Sequence, residues 1–521
     1  MSQSFSHNRF NIVLIGLSFL ILVQACAQPD SPDRSWQLRK PGVEQDPTAQ
    51  SDPYPSATPH PLTTYLPPTR RPNEPYLTPT PDIFRDQPTI RSETEFYIVQ
   101  PGDSLSVIAV RFNVSPHLIL AANNLTNPDF LAVWQTLVIP PPILQAPGPN
   151  FKIIPNSELV YGPAGVFFDL RSEVTRRGGI LAHHTEEVEG KELSGTGVVQ
   201  LVAQRYSVNP RLLLAVLEYQ SGWLTSHDVP ADSLRYPIGY IRSGWGGLFS
   251  QLSYVANQLN TGYYRWRAGW DGPYVFSDGS VVVPGQGVNA GTVGVQYLFS
   301  QLYPVDAWRE VVGENGFYHT YLSLFGNPFD RAVEPLLPAE LEQPPMQLPF
   351  EPGIIWSFTA GPHSAWDRGA AWGALDFAPS SYAVGCIRSD EWVVAVADGL
   401  VLRTGEGEVI LDIDGDGYEQ TGWVLLYLHI EERDRVKPGV VLQAGDRVGH
   451  PSCEGGISTG THVHLTRKYN GEWIPADGPI PFVLDGWVSA GQGTEYNGTI
   501  SRGPITIEAY YRRGSNNQIT R

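Results

Sequence analysis

Apolar and polar positions divide the chain into five stretches with different periods. From Phe10 to Val23 nearly every residue is apolar, a run of signal-peptide length and short for a helix that crosses a bilayer. Residues 27–95 have no apolar period; prolines alternate with Ser, Thr, Asp and Gln. Such a stretch buries too little surface to offset its ordering entropy, so a disordered, extended linker is expected. Over 96–141, a short strand at Phe96–Val99 meets a Pro101-Gly102-Asp103 turn. Leu105, Ile108, Ala109 and Phe112 then recur at helical spacing, a second helix carries Leu118 to Ala122, and Leu137–Ile139 closes as a strand. This is a βααβ unit. Residues 155–335 carry helical periods at Val198–Tyr206, Arg211–Trp223, Leu248–Thr261, Thr292–Tyr303 and Gly316–Leu322. After a Pro-rich joint at Pro335–Pro352, residues 345–511 change to two-residue alternation with Gly, Asp and Asn turns. Candidate strands are Trp392–Ala397, Gly399–Arg403, Gly407–Ile413, Gly422–His429 and Val463–Lys468, which predicts an antiparallel all-β domain. The fold class is multidomain α+β.

Charge removes one class of function. Lys and Arg number 35 against 53 Asp and Glu, for a net charge of −18, and no local basic patch offers a nucleic acid a docking face. The three Cys are too few for a Cys-rich scaffold or an iron–sulfur protein.

The apolar run ends in Val23-Gln24-Ala25-Cys26, which resembles a bacterial lipobox. The resemblance implies a lipoprotein signal peptide at 1–26, a lipidated Cys26, and a cell-envelope location outside the cytoplasm at a membrane. An ordinary signal peptide or a single anchor helix is the alternative. In an exported chain Cys386 and Cys453 then remain as an even pair and are expected to form a disulfide.

The 96–141 block resembles the LysM domain along its whole length: the Val99-x-x-Gly102-Asp103-Ser104-Leu105 opening, the Ile108-Ala109-x-x-Phe112 helix, an Asn at the second helix end and the closing Ile139-Pro140. That family binds N-acetylglucosamine-containing glycans, chiefly peptidoglycan. The resemblance implies glycan contacts in the strand–helix loops, near Gly102, Asp103, Ser104, Asn124 and Leu125.

Within 155–335, Asn209-Pro210-Arg211-Leu212-Leu213-Leu214-Ala215 running to Gln220-Ser221-Gly222 resembles the stretch that carries the catalytic Glu of lysozyme-like lytic transglycosylases. Gln220 stands where that Glu would be. Glycan cleavage needs a carboxylic acid to protonate the leaving oxygen, and an amide cannot do so. Glu218 lies about 200° away round the helix. The expectation is a degenerate, lysozyme-like helical domain without catalysis. Tyr263, Tyr264, Trp266 and Trp270 are aromatic enough to stack on sugars but fit a core equally well. His183-His184 reads as a surface loop.

The C-terminal block concentrates the chemistry. Thr461-His462-Val463-His464 sets two imidazoles at i and i+2, on one face of a strand. His429 ends a candidate strand, His363 follows Gly361-Pro362 in a predicted loop, and Asp376 opens a strand. Two His and one carboxylate with an open position for water form a catalytic zinc set. The ordered series resembles the lysostaphin/LytM type of zinc peptidase from about 361 to 469. It includes Val394-Ala395-Val396-Ala397-Asp398-Gly399, Tyr427-x-His429, Gly445-Asp446-Arg447-Val448-Gly449 and Gly460-Thr461-His462-Val463-His464. Carried over, His363, Asp376 and His464 are Zn²⁺ ligands, and His429 and His462 are catalytic. The family spaces its first His and Asp four apart, a distance that Asp367 satisfies and Asp376, thirteen residues on, does not. Asp376 is preferred for its Leu375-Asp376-Phe377-Ala378-Pro379 context. Asp412-x-Asp414-x-Asp416-Gly417 is the first half of an EF-hand-like loop that could take Ca²⁺, but position twelve is Trp423 and strands flank it. A solvated turn is the simpler reading.

Two functions follow. One is a lipid-anchored zinc metalloendopeptidase that hydrolyses peptide cross-links of peptidoglycan during wall remodelling. The other is a non-catalytic peptidoglycan-binding protein that regulates another hydrolase. The five filled polar positions favour the enzyme.

Overall fold

The computed structural model describes Arg85 and residues 88–270, 272–380 and 385–521. The export segment, Cys26 and all but the end of the proline-rich stretch lie outside the described residues. Among those residues no single helix is long and apolar enough to cross a membrane.

The first domain has the expected βααβ order: Glu95–Ile98, Leu105–Phe112, Pro116–Ala122 and Thr136–Ile139, with the two strands antiparallel. Ser104 and Ser115 cap the helices through their hydroxyls. Asn123 staples the second helix to the closing strand, its amide bonding the Ile119 and Val138 carbonyls and its oxygen accepting from Val138 N. The chain then adds Ile143–Leu144 in parallel to Ser280–Val282 of the next domain.

That helical domain is built round Gly195–Tyr206, Pro210–Ser221, Leu248–Arg267, Ala290–Ser300 and Phe317–Phe325. The pair Leu248–Arg267 and Ala290–Ser300 approach closely because Gly262 and Gly294 face each other, where a Cβ on Gly262 would lie 2.8 Å from the Gly294 Cα. Alternation missed two hairpins here, Thr185–Val188 with Lys191–Ser194 and Tyr274–Val275 with Ser280–Val282. Their strands are short and polar or nearly wholly buried, so neither shows a clean period.

Among the described residues the C-terminal domain is built on a nine-stranded antiparallel sheet, with a four-stranded sheet of Val483–Leu484, Trp487–Gly491, Gly498–Arg502 and Ile505–Glu508 and a pair of Val393–Val394 with Arg447–Gly449 beside it. The order of the nine-stranded sheet is Gln518–Thr520, Ile355–His363, Ala374–Pro379, Val463–Tyr469, Trp423–Leu428, Val409–Asp412, Gly399–Thr404 and Val441–Leu442, with Glu472–Trp473 hung off Val463–Tyr469. His363 ends a strand and does not lie in a loop, a correction to the sequence reading: Gly361-Pro362 looked like a turn, but here they ride an irregularity in the pairing with Ala374–Pro379. The sheet has two unlike faces. Leu425, Tyr427, Leu465, Phe377 and Leu411 point into the domain's own core. The alternate residues Val424, Leu426, Leu428 and Ile410, with Trp473, join the core of the helical domain. The helical domain therefore lies on one face of this sheet.

Ions are buried at that junction. Arg205 forks onto Glu189 at 2.7 and 2.9 Å and bonds Glu408 at 2.8 Å. Behind it Arg403 bonds both Glu408 and Glu419, and Lys468 reaches Glu419 at 2.7 Å. Burial opposes the charge on Glu419, but Arg403 and Lys468 outweigh it and hold its pKa at about 2, against 4.5 ordinarily. A depressed carboxylate pKa stabilises the fold above the unfolded value and loses that effect as pH falls through the folded one. About 3 kcal/mol should therefore disappear between pH 4.5 and 2. Thermal melts across that range should show the loss, and Glu419→Gln should start less stable and flatten the acid limb.

Candidate metal centre

Cross-strand register assembles the site. His464 stands opposite Leu428 on one side and Asp376 on the other, so all three share the sheet face that the helical domain covers further along. His363 enters from the end of the neighbouring strand. The three ligand atoms form a tight triangle: His363 Nε2 to His464 Nδ1 is 3.0 Å, His363 Nε2 to Asp376 Oδ1 3.2 Å, and His464 Nδ1 to Asp376 Oδ1 3.3 Å.

Hydrogen bonds on the far sides fix what faces inward. His363 Nδ1 lies 2.9 Å from the Gly361 carbonyl and His464 Nε2 3.1 Å from the Ala365 carbonyl. A carbonyl only accepts, so those nitrogens carry the protons and the inward nitrogens present lone pairs. Asp376 Oδ1 is buried with no hydrogen-bond partner. With both rings neutral, three electron-rich atoms converge with no proton between them, which is costly unless a cation sits there. Tetrahedral coordination at about 2.0–2.1 Å puts donor atoms about 3.3 Å apart, the separation found here. The residues fit a divalent metal of the zinc kind. Burial opposes the charge on Asp376, yet facing His363 and His462 hold its carboxyl well below the usual range. Burial pushes His464 down towards the neutral imidazole, while at His363 Asp376 outweighs burial and raises it.

His429 and His462 stand beside this triangle, their rings 4.5 Å apart. His429 Nδ1 is 2.9 Å from the Glu454 carbonyl and His462 Nδ1 2.7 Å from the Gly460 carbonyl. Both Nε2 atoms are left for chemistry, and that of His462 lies 3.4 Å from Asp376 Oδ2. His429 has φ +67°, a left-handed conformation that a non-glycine residue takes only when its surroundings hold it. Tyr496, also at positive φ, stacks on His363 with centroids 4.7 Å apart. Nothing in its sequence context marked it.

Asp367 is elsewhere. Its Oδ2 accepts from Tyr206 of the helical domain at 3.1 Å. Its loop packs there too: Trp366 meets the Tyr206 ring, and Gly369 N donates to Asn257 at 2.8 Å. The Ser364–Gly373 insertion is a docking loop for the neighbouring domain, not a second ligand segment. The structure joins Cys386 to Cys453.

Other candidates fall outside the centre. Asp412 is buried, and its oxygens accept from Gly415 N and Gly417 N. Asp416 accepts from Tyr418 N. Burial, with Asp412 and Asp416 nearby, pushes Asp414 up to about 8. The three carboxylates lie close enough together to share a cation, but turn amides already occupy the Asp412 oxygens, and Trp423, committed to the sheet, stands where an EF-hand would place its Glu. In the helical domain Tyr263, Tyr264 and Trp266 are buried in the core and Trp270 packs against it, so they form no sugar platform. Gln220 accepts from the Tyr303 hydroxyl. Glu218 accepts from Leu224 N and Thr225 N, closing the turn after its helix. His184 packs on Trp223. In the first domain Val99, just before the turn that holds Gly102, Asp103 and Ser104, exchanges backbone hydrogen bonds with Trp134 and Gln135, while Asn124 and Leu125 close the second helix on the Ala121 and Leu120 carbonyls. Asp103 ties its own turn through Tyr97 and Gln100 N. The sequence reading missed Trp134, which is 67% exposed.

Two protein families match the chain: the LysM domain over residues 97–140, and "LasA, N-terminal domain" over residues 152–339. The helical block, read from its Gln220 stretch as lysozyme-like, finds its match in the second. Protease LasA of Pseudomonas aeruginosa, from strains PAO1 and UCBPP-PA14, is 26% identical over 350 residues, covering 63% of this chain and 77% of the relative. Among solved structures, the M23 metalloprotease pseudoalterin is similar at 23% identity and a TM-score of 0.27, over 35% of this chain and 100% of that one. The catalytic domain of lysostaphin from Staphylococcus simulans is similar at 22% and 0.17, over 24% of this chain and 89% of that one. The C-terminal domain carries the His363, Asp376 and His464 triangle with the His429 and His462 pair next to it, beside the helical domain that matches the LasA N-terminal domain.

Proposed function

We propose that the chain is an extracytoplasmic zinc metalloendopeptidase that hydrolyses peptide cross-links of peptidoglycan, tethered at the membrane through a lipidated Cys26. The single observation that carries the chemistry is the triangle of inward lone pairs on His363, Asp376 and His464 beside two imidazoles with free Nε2 atoms. The LysM match supports glycan binding that would bring the peptidase to the wall. The alternative, a wall-binding regulator, has no lost ligand in its favour.

His363, Asp376 and His464 would hold the zinc, which when bound supplies Lewis-acid activation of a water and of the scissile carbonyl. The chain's own groups do the rest. One of the pair His429 and His462 takes the water's proton at Nε2 and returns it to the leaving amine. The other, protonated at Nε2 as well as Nδ1, donates from Nε2 to the oxygen on which negative charge develops. The Glu454 and Gly460 carbonyls keep both rings oriented for this. Gln220 stands where the lysozyme-like stretch would carry its acid, so the helical domain is expected to cleave no glycan.

The test is full-length protein on cross-linked muropeptides of several chemistries, read as new free amino groups, with chelation and zinc add-back. Release that stops on chelation and returns with zinc is expected. Zinc-loaded protein that releases no amines from any of them while binding peptidoglycan would transfer the case to the regulator.

A further inference from the structure

The Cys386–Cys453 disulfide joins two segments, one bonded at His429 and the other at the residue before His462. Glu454, next to Cys453, supplies the carbonyl at His429 Nδ1. Ser452, on the other side, donates from both its N and its hydroxyl to the His429 carbonyl, and its own carbonyl accepts from His462 N at 3.3 Å. Cys386 sits between Gly385, whose carbonyl accepts from Thr461 N at 3.1 Å, and Ile387, which exchanges two hydrogen bonds with the Thr461 hydroxyl. Thr461 immediately precedes His462. After Cys453, Gly455 packs against the Glu406–Gly407 backbone, Gly455 and Gly456 both take φ +66°, and Ile457 is 87% exposed. The metal triangle takes its outer carbonyls from Gly361 and Ala365 instead, which the bridge does not touch.

We infer that this disulfide is a positioning element for the reaction: it pins the Glu454 carbonyl on His429, keeps that ring's proton on Nδ1, and leaves metal binding to other segments. The inference rests on the peptidase reading for its rate consequence only. Reduction by a water-soluble phosphine, which is oxidised to its oxide with oxygen from water, leaves two thiols. The freed loop then lets the His429 proton move to Nε2, which turns the nitrogen facing the site from an acceptor into a donor.

The experiment uses full-length protein labelled with ¹⁵N-histidine, its His429 signals assigned by their loss in His429→Gln. Oxidised protein should show His429 as the Nδ1–H tautomer. After reduction, and in Cys386→Ser/Cys453→Ser, that signature should give way to mixed tautomers. kcat should fall on the order of 100-fold, with KM and zinc content unchanged. An unchanged tautomer overturns the inference whatever the rate does. Loss of zinc on reduction also overturns it, since the bridge would then be a general brace. Oxidised, zinc-loaded protein that cleaves nothing defeats the peptidase reading, while the tautomer measurement still decides this one.

Discussion

His464→Ala will abolish both metal binding and peptide cleavage, whereas His462→Ala will keep the metal and lose most activity. His464 supplies one corner of a triangle about 3 Å on a side. Without it two ligands remain, too few for the three-ligand catalytic set. His462 is not a corner; its Nε2 lies 3.4 Å from the other oxygen of Asp376. Removing a general acid–base group costs on the order of 10²–10⁴ in rate while leaving ligands alone. The same logic separates the two aspartates: Asp376→Ala loses the metal, and Asp367→Ala keeps it, because Asp367 bonds Tyr206 of the helical domain. Metal content of each purified variant, measured beside amine release, checks the set. A His462→Ala protein without metal, or an Asp367→Ala protein without it, would contradict the assignment.

The second large effect is on stability. Arg205→Ala should destabilise the chain by about 3 kcal/mol and loosen the helical domain from the sheet. Breaking a buried ion pair by removing one partner costs roughly 3–5 kcal/mol. The low end applies because Glu408 keeps Arg403, while Glu189 loses its two-pronged partner. Arg205→Lys should recover little, since an ammonium cannot reproduce the fork. Guanidinium unfolding gives the energy, and the rate of proteolysis within the 335–352 joint reports separation. Unfolding midpoints equal to wild type would show that the apolar contacts alone hold the junction.

How much of this was legible follows from the range of each interaction. The βααβ order could be read because its caps and periods are local. His363, Asp376, His429, His462 and His464 could be picked out because each stands in a short strand-and-turn context whose order along the chain is informative. The docking of the helical domain could not be read. Val424, Leu426 and Leu428 alternate with Leu425 and Tyr427, so both faces of that strand are apolar, and nothing in the strand says which face a second domain covers. The carbonyls of Gly361, Ala365, Glu454 and Gly460 are backbone atoms and leave no trace in residue type. The Gln220 stretch is read from local signals alone: a helix ending in Ser221-Gly222 looks alike whether its acid serves catalysis or, as with Glu218, closes the next turn.

The loop that separates His363 from Asp376 bears on how such centres are found and how they change. Because Asp376 is held by its pairing with His464 and His363 by the strand beside it, the distance between them along the chain is free to vary. A search that demands a fixed gap between first His and Asp would settle on Asp367 and misassign the centre. The same freedom lets a lineage lengthen that gap and use the added residues to attach another domain, while the geometry at the metal stays as it was.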